Sequence, residues 1–237
     1  MPSLALGLGT QHLCGIFLPA EGGAAPGVSF TDDFNRANAD PMSQPAVGTW
    51  TNGPGGFGSC KIASNTLEAS TAAAYCGARV LTPVFGADQK ATVTLSAIAG
   101  SFFEGPCVRM QSAVSGSCYH LMTGGSGAIL RVYKVTDSTG TAMIAGDFVQ
   151  LGADIIPAPV LVGGDTISLE AIGTTLNVYQ GATLIATRSD ATWATGQPGL
   201  HVYGGGGNTI NAFGCESGGG GALTLGAMVI GTSFTVA

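Results

Sequence analysis

Five glutamates could supply acid–base chemistry: Glu21, Glu68, Glu104, Glu170 and Glu216. Retaining glycoside hydrolysis needs two carboxyl groups about 5 Å apart. These five stand alone, and no strand-like run carries two acids at i, i+2 or i, i+4. The histidines are His12, His120 and His201, and none lies beside a G-x-S-x-G elbow. No residue is therefore expected to be catalytic. Binding chemistry has more to draw on. His201 and Tyr203 are two apart, so in a strand they share one face. An imidazole and a phenol there could stack on and hydrogen-bond a sugar, or simply be two half-exposed strand residues. Trp193 stands in a loop near Asp190 and is the better placed of the two tryptophans to meet a ligand. Trp50 and Trp193 could equally plug the ends of a core. The expected ligand-binding residues are thus Trp193, Asp190, His201 and Tyr203. The runs 204–207 and 218–221 are all glycine but lack the Lys-Ser/Thr of a phosphate loop, so they read as turns or tethers.

The elements that must position these residues are strands. Between 164 and 213, Ile167, Leu169 and Ala171 alternate with Thr166, Ser168 and Glu170. Leu176 and Val178 follow across residues 173–175, and Leu184 and Ile185 follow across 180–182. Period-two runs broken by short Gly/Thr turns predict an antiparallel meander. A loop with Asp190, Trp193 and Gln197-Pro198-Gly199 leads to a fourth strand at 200–203 and a fifth at 210–213. Earlier, residues 60–63 and 66–69 predict a hairpin about Ser64-Asn65. Residues 74–81, 90–99, 107–111, 117–122, 129–134 and 142–150 predict further strands. No stretch has a 3.6-residue period. Strands every eight to twelve residues predict an all-β, two-sheet antiparallel sandwich.

This chain resembles the concanavalin A-like lectin/glucanase superfamily, in its laminin-G-like or pentraxin-like jelly-roll branch. The residues that carry the resemblance are Gly164, Asp165, Asn177, Val178, Tyr179, Gly181, Asp190, Thr192, Gly196, Pro198, Gly199, Leu200, Asn211 and Phe213. The run 32–36 (DDFNR) and Trp50 resemble the entry to the same fold. The resemblance covers residues 30–216 and implies a jelly roll. It does not select a function, because this fold carries enzymes, lectins and structural modules alike. Glucanases of the superfamily use a Glu-x-Asp-x-x-Glu cluster on one strand, which this chain lacks. Relatives also bind calcium through adjacent acids, which makes Asp32 and Asp33 the residues to weigh as metal ligands. Calcium takes six to eight oxygens, and neighbouring strand residues point to opposite faces. No metal is therefore expected.

Composition narrows the class. Of 237 residues, 45% are hydrophobic and 9% charged, against about 25% charged in ordinary soluble domains. Mean hydropathy is +0.37, yet no run approaches the ~18 apolar residues of a membrane span. So much apolar surface in a modest sandwich predicts an assembly. The eight basic residues are scattered and the net charge is −6, which argues against nucleic acid. Residues 1–20 lack a basic start and are interrupted by Gly7, Gly9, Gln11 and His12, so they do not read as a secretory signal. The six cysteines show no C-x-x-C spacing. They allow three disulfides or six buried thiols, with Cys60/Cys76 and Cys107/Cys118 the pairs to inspect.

Three segments are expected: an N-terminal arm and linker at 1–27, the sandwich at 28–217, and a Gly-tethered arm at 218–237. Residues 222–237 (ALTLGAMVIGTSFTVA) are apolar, uncharged and β-prone, and such a segment must be paired. The leading expectation is a non-enzymatic structural virion protein, a capsid decoration, fibre or tail-tip subunit without a cofactor. It would assemble with itself or other virion proteins through both arms. The alternatives are a carbohydrate-binding adhesion module with a concave aromatic face, and a glycosidase with an unfamiliar carboxylate pair.

Overall fold

The computed structural model describes residues 27–72, 74–98, 104–137, 142–204 and 207–217. Both expected arms, apart from Gly27, lie outside the described residues. Among the described residues fifteen strands follow one another. The first eight are β1 (Ser29–Asp32), β2 (Thr49–Asn52), β3 (Cys60–Ala63), β4 (Thr66–Ala69), β5 (Tyr75–Thr82), β6 (Gln89–Ala97), β7 (Glu104–Met110) and β8 (Cys118–Gly124). The rest are β9 (Ile129–Val135), β10 (Phe148–Gln150), β11 (Thr166–Ile172), β12 (Thr175–Gln180), β13 (Thr183–Ser189), β14 (Gln197–Tyr203) and β15 (Thr209–Ser217). One sheet has the order β13-β12-β11-β6-β15-β4-β3, with β1 also paired to β15; the other runs β10-β9-β8-β7-β14-β5-β2. Every strand pair is antiparallel. This is the two-sheet sandwich that the alternation predicts. Among the described residues no helix is long and apolar enough to cross a membrane.

Local chemistry explains the turns. The β3–β4 hairpin reverses at Ser64 and Asn65, with φ of 52° and 60°, the paired positive φ that a two-residue turn needs. Gly173 and Gly181 take φ of 55° and 59° at the two turns of the β11–β12–β13 meander. The expected strand at 142–150 is corrected. Residues Ala145–Asp147 form a 3-10 turn and only Phe148–Gln150 pair. The Asp147 carboxylate accepts the Ile144 N–H at 2.9 Å, a local bond that competes with the ladder.

The core lies between the sheets. Ala91, Val93 and Leu95 of β6 face it, as do Ile167, Leu169, Leu176, Val178, Leu200 and Val202. One end is closed by rings: Trp50 meets Phe30 at 5.2 Å and Phe213 at 4.9 Å between centroids. Burying each such side chain contributes about 1.5–3 kcal/mol. The Trp50 indole N–H donates to Asp32 at 2.8 Å. Trp50 therefore plugs the core.

Candidate functional site

Alternation in the seven-stranded sheet sends one set of side chains to the core and a second set to the other face. In β14, Leu200 and Val202 join the core, so His201 and Tyr203 face away. Cys76, Ala78 and Val80 leave Tyr75 on that second face. Tyr119 and Leu121 leave Cys118 and His120 there, and Leu130 and Val132 leave Tyr133. Register sets these residues side by side: Tyr203 opposite Tyr75, and His120 opposite both Tyr133 and Cys107.

The sheet curls around this second face. Five strand spacings separate β10 from β5, about 24 Å in a flat sheet. Yet the Phe148 and Tyr75 ring centroids are 4.8 Å apart. The second face is therefore concave, and side chains from distant strands meet across it. His201 contacts Tyr75 at 5.5 Å, Phe57 at 5.2 Å, Phe148 at 6.2 Å and His120 at 4.5 Å. Tyr203 meets Tyr75 at 4.8 Å, and Tyr133 meets Phe148 at 6.0 Å. Phe57, Cys107, Met110, Cys118, Val135 and Met143 form a small second core beneath. Tyr75, Tyr133, Tyr203 and Phe148 are half-buried.

His201 is wholly buried, not half-exposed as its strand position suggested, because the curl closes rings over it. His120 is buried beside it, and no ring nitrogen of either has a hydrogen-bond partner. Burial lowers the His201 pKa to about 3. Burial, and then the neighbouring His201, holds His120 well below its ordinary value. Both imidazoles are neutral at pH 7 and act as flat polarisable rings. Burial pushes the Cys107 thiol up, with Cys118 adding to the effect. The five described cysteines are free thiols and buried. Cys14 lies outside the described residues. Among the described residues no three His, Cys, Asp or Glu side chains are placed to hold a metal ion.

A polar rim flanks the rings. Arg131, two residues from Tyr133 on the same face, binds Asp154 through two bonds of 2.8 and 3.0 Å. The Gln150 amide donates to Asp154 at 2.9 Å. Arg131 and then Gln150 hold the Asp154 carboxyl at about 2. Such groups offer hydroxyl-matching donors and acceptors beside stacking surfaces.

The sequence-predicted binding residues fall into two sets. His201 and Tyr203 belong to the concave face. Asp190 and Trp193 gather instead about the Tyr119 hydroxyl, reached from the core side of β8. Tyr119 donates to Asp190 at 2.7 Å and accepts the Trp193 N–H at 2.9 Å. Arg109 donates to the carbonyls of Trp193 at 2.9 Å, Gly173 at 2.7 Å and Ala87 at 2.9 Å. Gly196 passes so close to the Arg109 backbone that a Cβ would collide with it. Burial raises the Tyr119 pKa to about 12. For Asp190, burial pulls upward, but hydrogen bonds from Thr192 and Tyr119 and the Lys134 ammonium outweigh it, so its carboxyl sits below the ordinary value. This set pins the 190–196 loop to the sandwich.

Asp32 and Asp33 are separated by function. Asp32 accepts from Trp50, from Arg36 at 3.1 Å and from the Phe34 N–H at 2.9 Å. Asp33 accepts its own loop's Asn35 N–H at 3.0 Å. The topology also brings two glutamates into one row that the sequence separates. Glu170 and Glu216 both pair with Lys90, on either side of it. Tyr179 and Asn177 donate to Glu170 at 2.7 and 3.0 Å, and the Lys90 ammonium lies 4.1 Å from the Tyr179 ring. Glu104 is wholly buried, and neither carboxyl oxygen has a partner in hydrogen-bond geometry. Burial pushes its carboxyl up to about 8, against a weaker pull from the Thr123 hydroxyl.

Sequence reasoning missed Tyr75, Tyr133, Phe148 and His120 as neighbours of His201. The available signal was parity: each tyrosine stands on the strand face opposite the aliphatic residues.

Fold and site together define a jelly-roll β-sandwich with a ring-lined concave sheet. The solved structures it is similar to include jelly-roll carbohydrate-binding modules and carbohydrate-active enzymes of the concanavalin A type. A carbohydrate-binding module, CBM66 from Bacillus subtilis, superposes with a TM-score of 0.50 at 15% identity over 75% of this chain and 96% of that one. The Crh5 transglycosylase superposes at 0.50 with 10% identity, over 82% and 89%. The CBM2 module of the evolved Dit protein of Lactobacillus casei BL23 phage J-1 superposes at 0.48 with 13% identity, over 81% and 97%. No protein-family model matches the sequence, and neither does any curated protein.

Proposed function

We propose that this chain is a non-catalytic carbohydrate-binding β-sandwich whose concave face takes the sugar. The observation that carries the reading is the set of half-buried rings, Tyr75, Tyr133, Tyr203 and Phe148, brought from four strands onto one concave surface. Sugar rings stack on such faces through their C–H surfaces, while the Arg131–Asp154–Gln150 rim addresses hydroxyls. The fold it shares with the Bacillus subtilis carbohydrate-binding module supports the same reading. No catalytic step is proposed. The described glutamate pair that shares a row, Glu170 and Glu216, is divided by Lys90 and lies on the open face of the other sheet.

A glycan array on the full chain, followed by calorimetry on the best ligand, tests this. The expected result is saturable binding that Tyr133→Ala and Tyr203→Ala each weaken at least tenfold, about 1.4 kcal/mol, with the near-UV CD spectrum unchanged. Binding that both variants retain in full would move the site elsewhere.

A structural role in a virion, with partners engaged through the arms, is the second reading. One observation favours it: both arms depart from a single corner of the sandwich. The Ser217 N–H donates to the Val28 carbonyl at 2.8 Å, and a Cβ on Gly27 would collide with the Ser217 carbonyl. A sugar-binding body held at one corner is the geometry of an adhesion subunit on a particle surface. Electron microscopy of purified particles labelled against this chain tests it.

A further inference from the structure

The charge around the ring-lined face bears on which sugars it accepts. On the strands of the seven-stranded sheet the charged residues are Arg79, Glu104, Arg109, Arg131 and Lys134. Alternation puts Glu104 with Val108, and Lys134 with Val132, on the core side. Arg109 is spent on the carbonyls of Ala87, Gly173 and Trp193. Arg79 and Arg131 are left on the ring face. Arg79 lies four residues along β5 from Tyr75, about 13 Å. Phe57 packs over Gly77 between them, and Arg79 Nε donates to the Met110 carbonyl at 3.2 Å. The loop acids turn inward. Asp137 accepts the N–H groups of Gly56 and Gly116, each at 2.9 Å, and Asp147 accepts that of Ile144. Arg188 of β13 is held by the carbonyls of Leu151 and Ala153, each at 2.8 Å. Residues 73, 99–103, 138–141 and 205–206 contain no Asp, Glu, Lys or Arg. Among the described residues, then, the charged pair beside the rings is Arg131 with Asp154.

This pair neutralises itself. Arg131 meets Asp154 through Nε and a terminal nitrogen, the fork geometry that a sugar carboxylate would itself need. Gln150, opposite Tyr133 in the β9–β10 pairing, supplies a third bond. Asp154 is the more exposed partner, 37% against 28% for the two side chains. Its carboxyl, held at about 2, is ionised at neutral pH. A sugar carboxylate arriving here meets an occupied guanidinium and a charge of its own sign. A neutral sugar meets only hydroxyl-matching oxygens and N–H groups. Natural sites discriminate by such repulsion as well as by contact. We propose, on the sugar-binding reading of this face, that Asp154 is a specificity-determining residue that restricts the site to neutral sugars and turns acidic ones away.

The test screens the full chain on matched glycans that differ only at C6, hydroxymethyl against carboxylate, and takes the best pair to calorimetry. The wild type is expected to favour the neutral member at least about tenfold, within the range of one partly screened like-charge contact. Its Kd for that member should shift less than about twofold between 20 and 500 mM NaCl, because no ion pair with the ligand is there to be screened. Asp154→Asn frees Arg131 and removes one negative charge. Asp33→Asn, in the loop after β1 of the other sheet, removes one as well and serves as the control. The neutral-to-acidic preference is expected to fall at least about fivefold in D154N, the size of one charge contact in water, and to keep its wild-type value in D33N. A wild type that binds the acidic member as tightly as the neutral one would overturn the proposal and leave the sugar reading standing. So would equal preferences in D154N and D33N, or a D154N protein that has lost both members. A wild type that binds no glycan on the array overturns the proposal and the sugar reading together.

Discussion

Glu104 offers a quantitative test of how burial sets this protein's stability. The group is wholly buried, neither carboxyl oxygen has a partner in hydrogen-bond geometry, and the Thr123 hydroxyl exerts only a weaker pull. Its pKa is raised from an ordinary 4.5 to about 8, first through desolvation. A raised folded pKa means that the folded state holds a proton the unfolded state has released. The associated stability is complete below pH 4.5 and is lost as pH rises to about 8. Between pH 5 and pH 7.5 the wild type therefore loses about 3 kcal/mol through this one carboxyl, at 1.36 kcal/mol per unit. Glu104→Gln is neutral in both states and has no such slope. Other groups titrate alike in both proteins and cancel in the difference. The expected outcome is an unfolding free energy of E104Q that gains about 3 kcal/mol on wild type between the two pH values. In a chain of this size that is roughly 6–12 °C in Tm. Whatever the amide costs in packing is independent of pH and drops out of the comparison. Urea melts at pH 5, 6, 7 and 7.5 measure the slope. Parallel curves for the two proteins would refute the buried, protonated carboxyl.

The histidine pair predicts the opposite limb. Folded pKa values below the unfolded value give stability that is full above about pH 6.5 and lost on acidification, so between pH 6.5 and 4.5 His201 should account for about 2–3 kcal/mol of loss. His201→Phe should flatten that limb by this amount in melts across the same range. Arg109→Ala removes a buried guanidinium that joins Asp88 and three carbonyls and should cost about 3–5 kcal/mol of stability in denaturant melts. The five described cysteines are buried and Cys60, Cys76, Cys107 and Cys215 have raised pKa values. In native protein at pH 7.5 all five should resist iodoacetamide, as read by peptide mass spectrometry, and react fully in 6 M guanidinium.

Local patterns were legible in the sequence wherever one turn joins two strands. The 60–69 hairpin and the β11–β12–β13 meander follow from alternation and turn residues, because neighbouring strands fix each other's register. The 142–150 segment was misread because Asp147 satisfies its own backbone, a local bond that no period reveals. The site was half legible. His201 and Tyr203 share a face by spacing alone, but Tyr75 and Phe148 reach them only through the curl of the whole sheet. Asp190 and Trp193 lie close in sequence to that strand, yet Tyr119 draws them to the other side of the sheet. Nothing in their own neighbourhood names a residue 71 positions away.

The shared exit of the two arms also decides how the body answers a mechanical pull. Val28 and Ser217 sit together at one end of the β1–β15 ladder. Tension applied between the arms would open that ladder like a zip, loading one hydrogen bond at a time from the Ser217–Val28 pair inward. Antiparallel bonds lie across the strands, so they do not share such a load. A sandwich strung in series through both arms would yield at low force. One held by a single arm, or by both arms on the same support, would feel no tension across the ladder and would swing as an intact body from its corner.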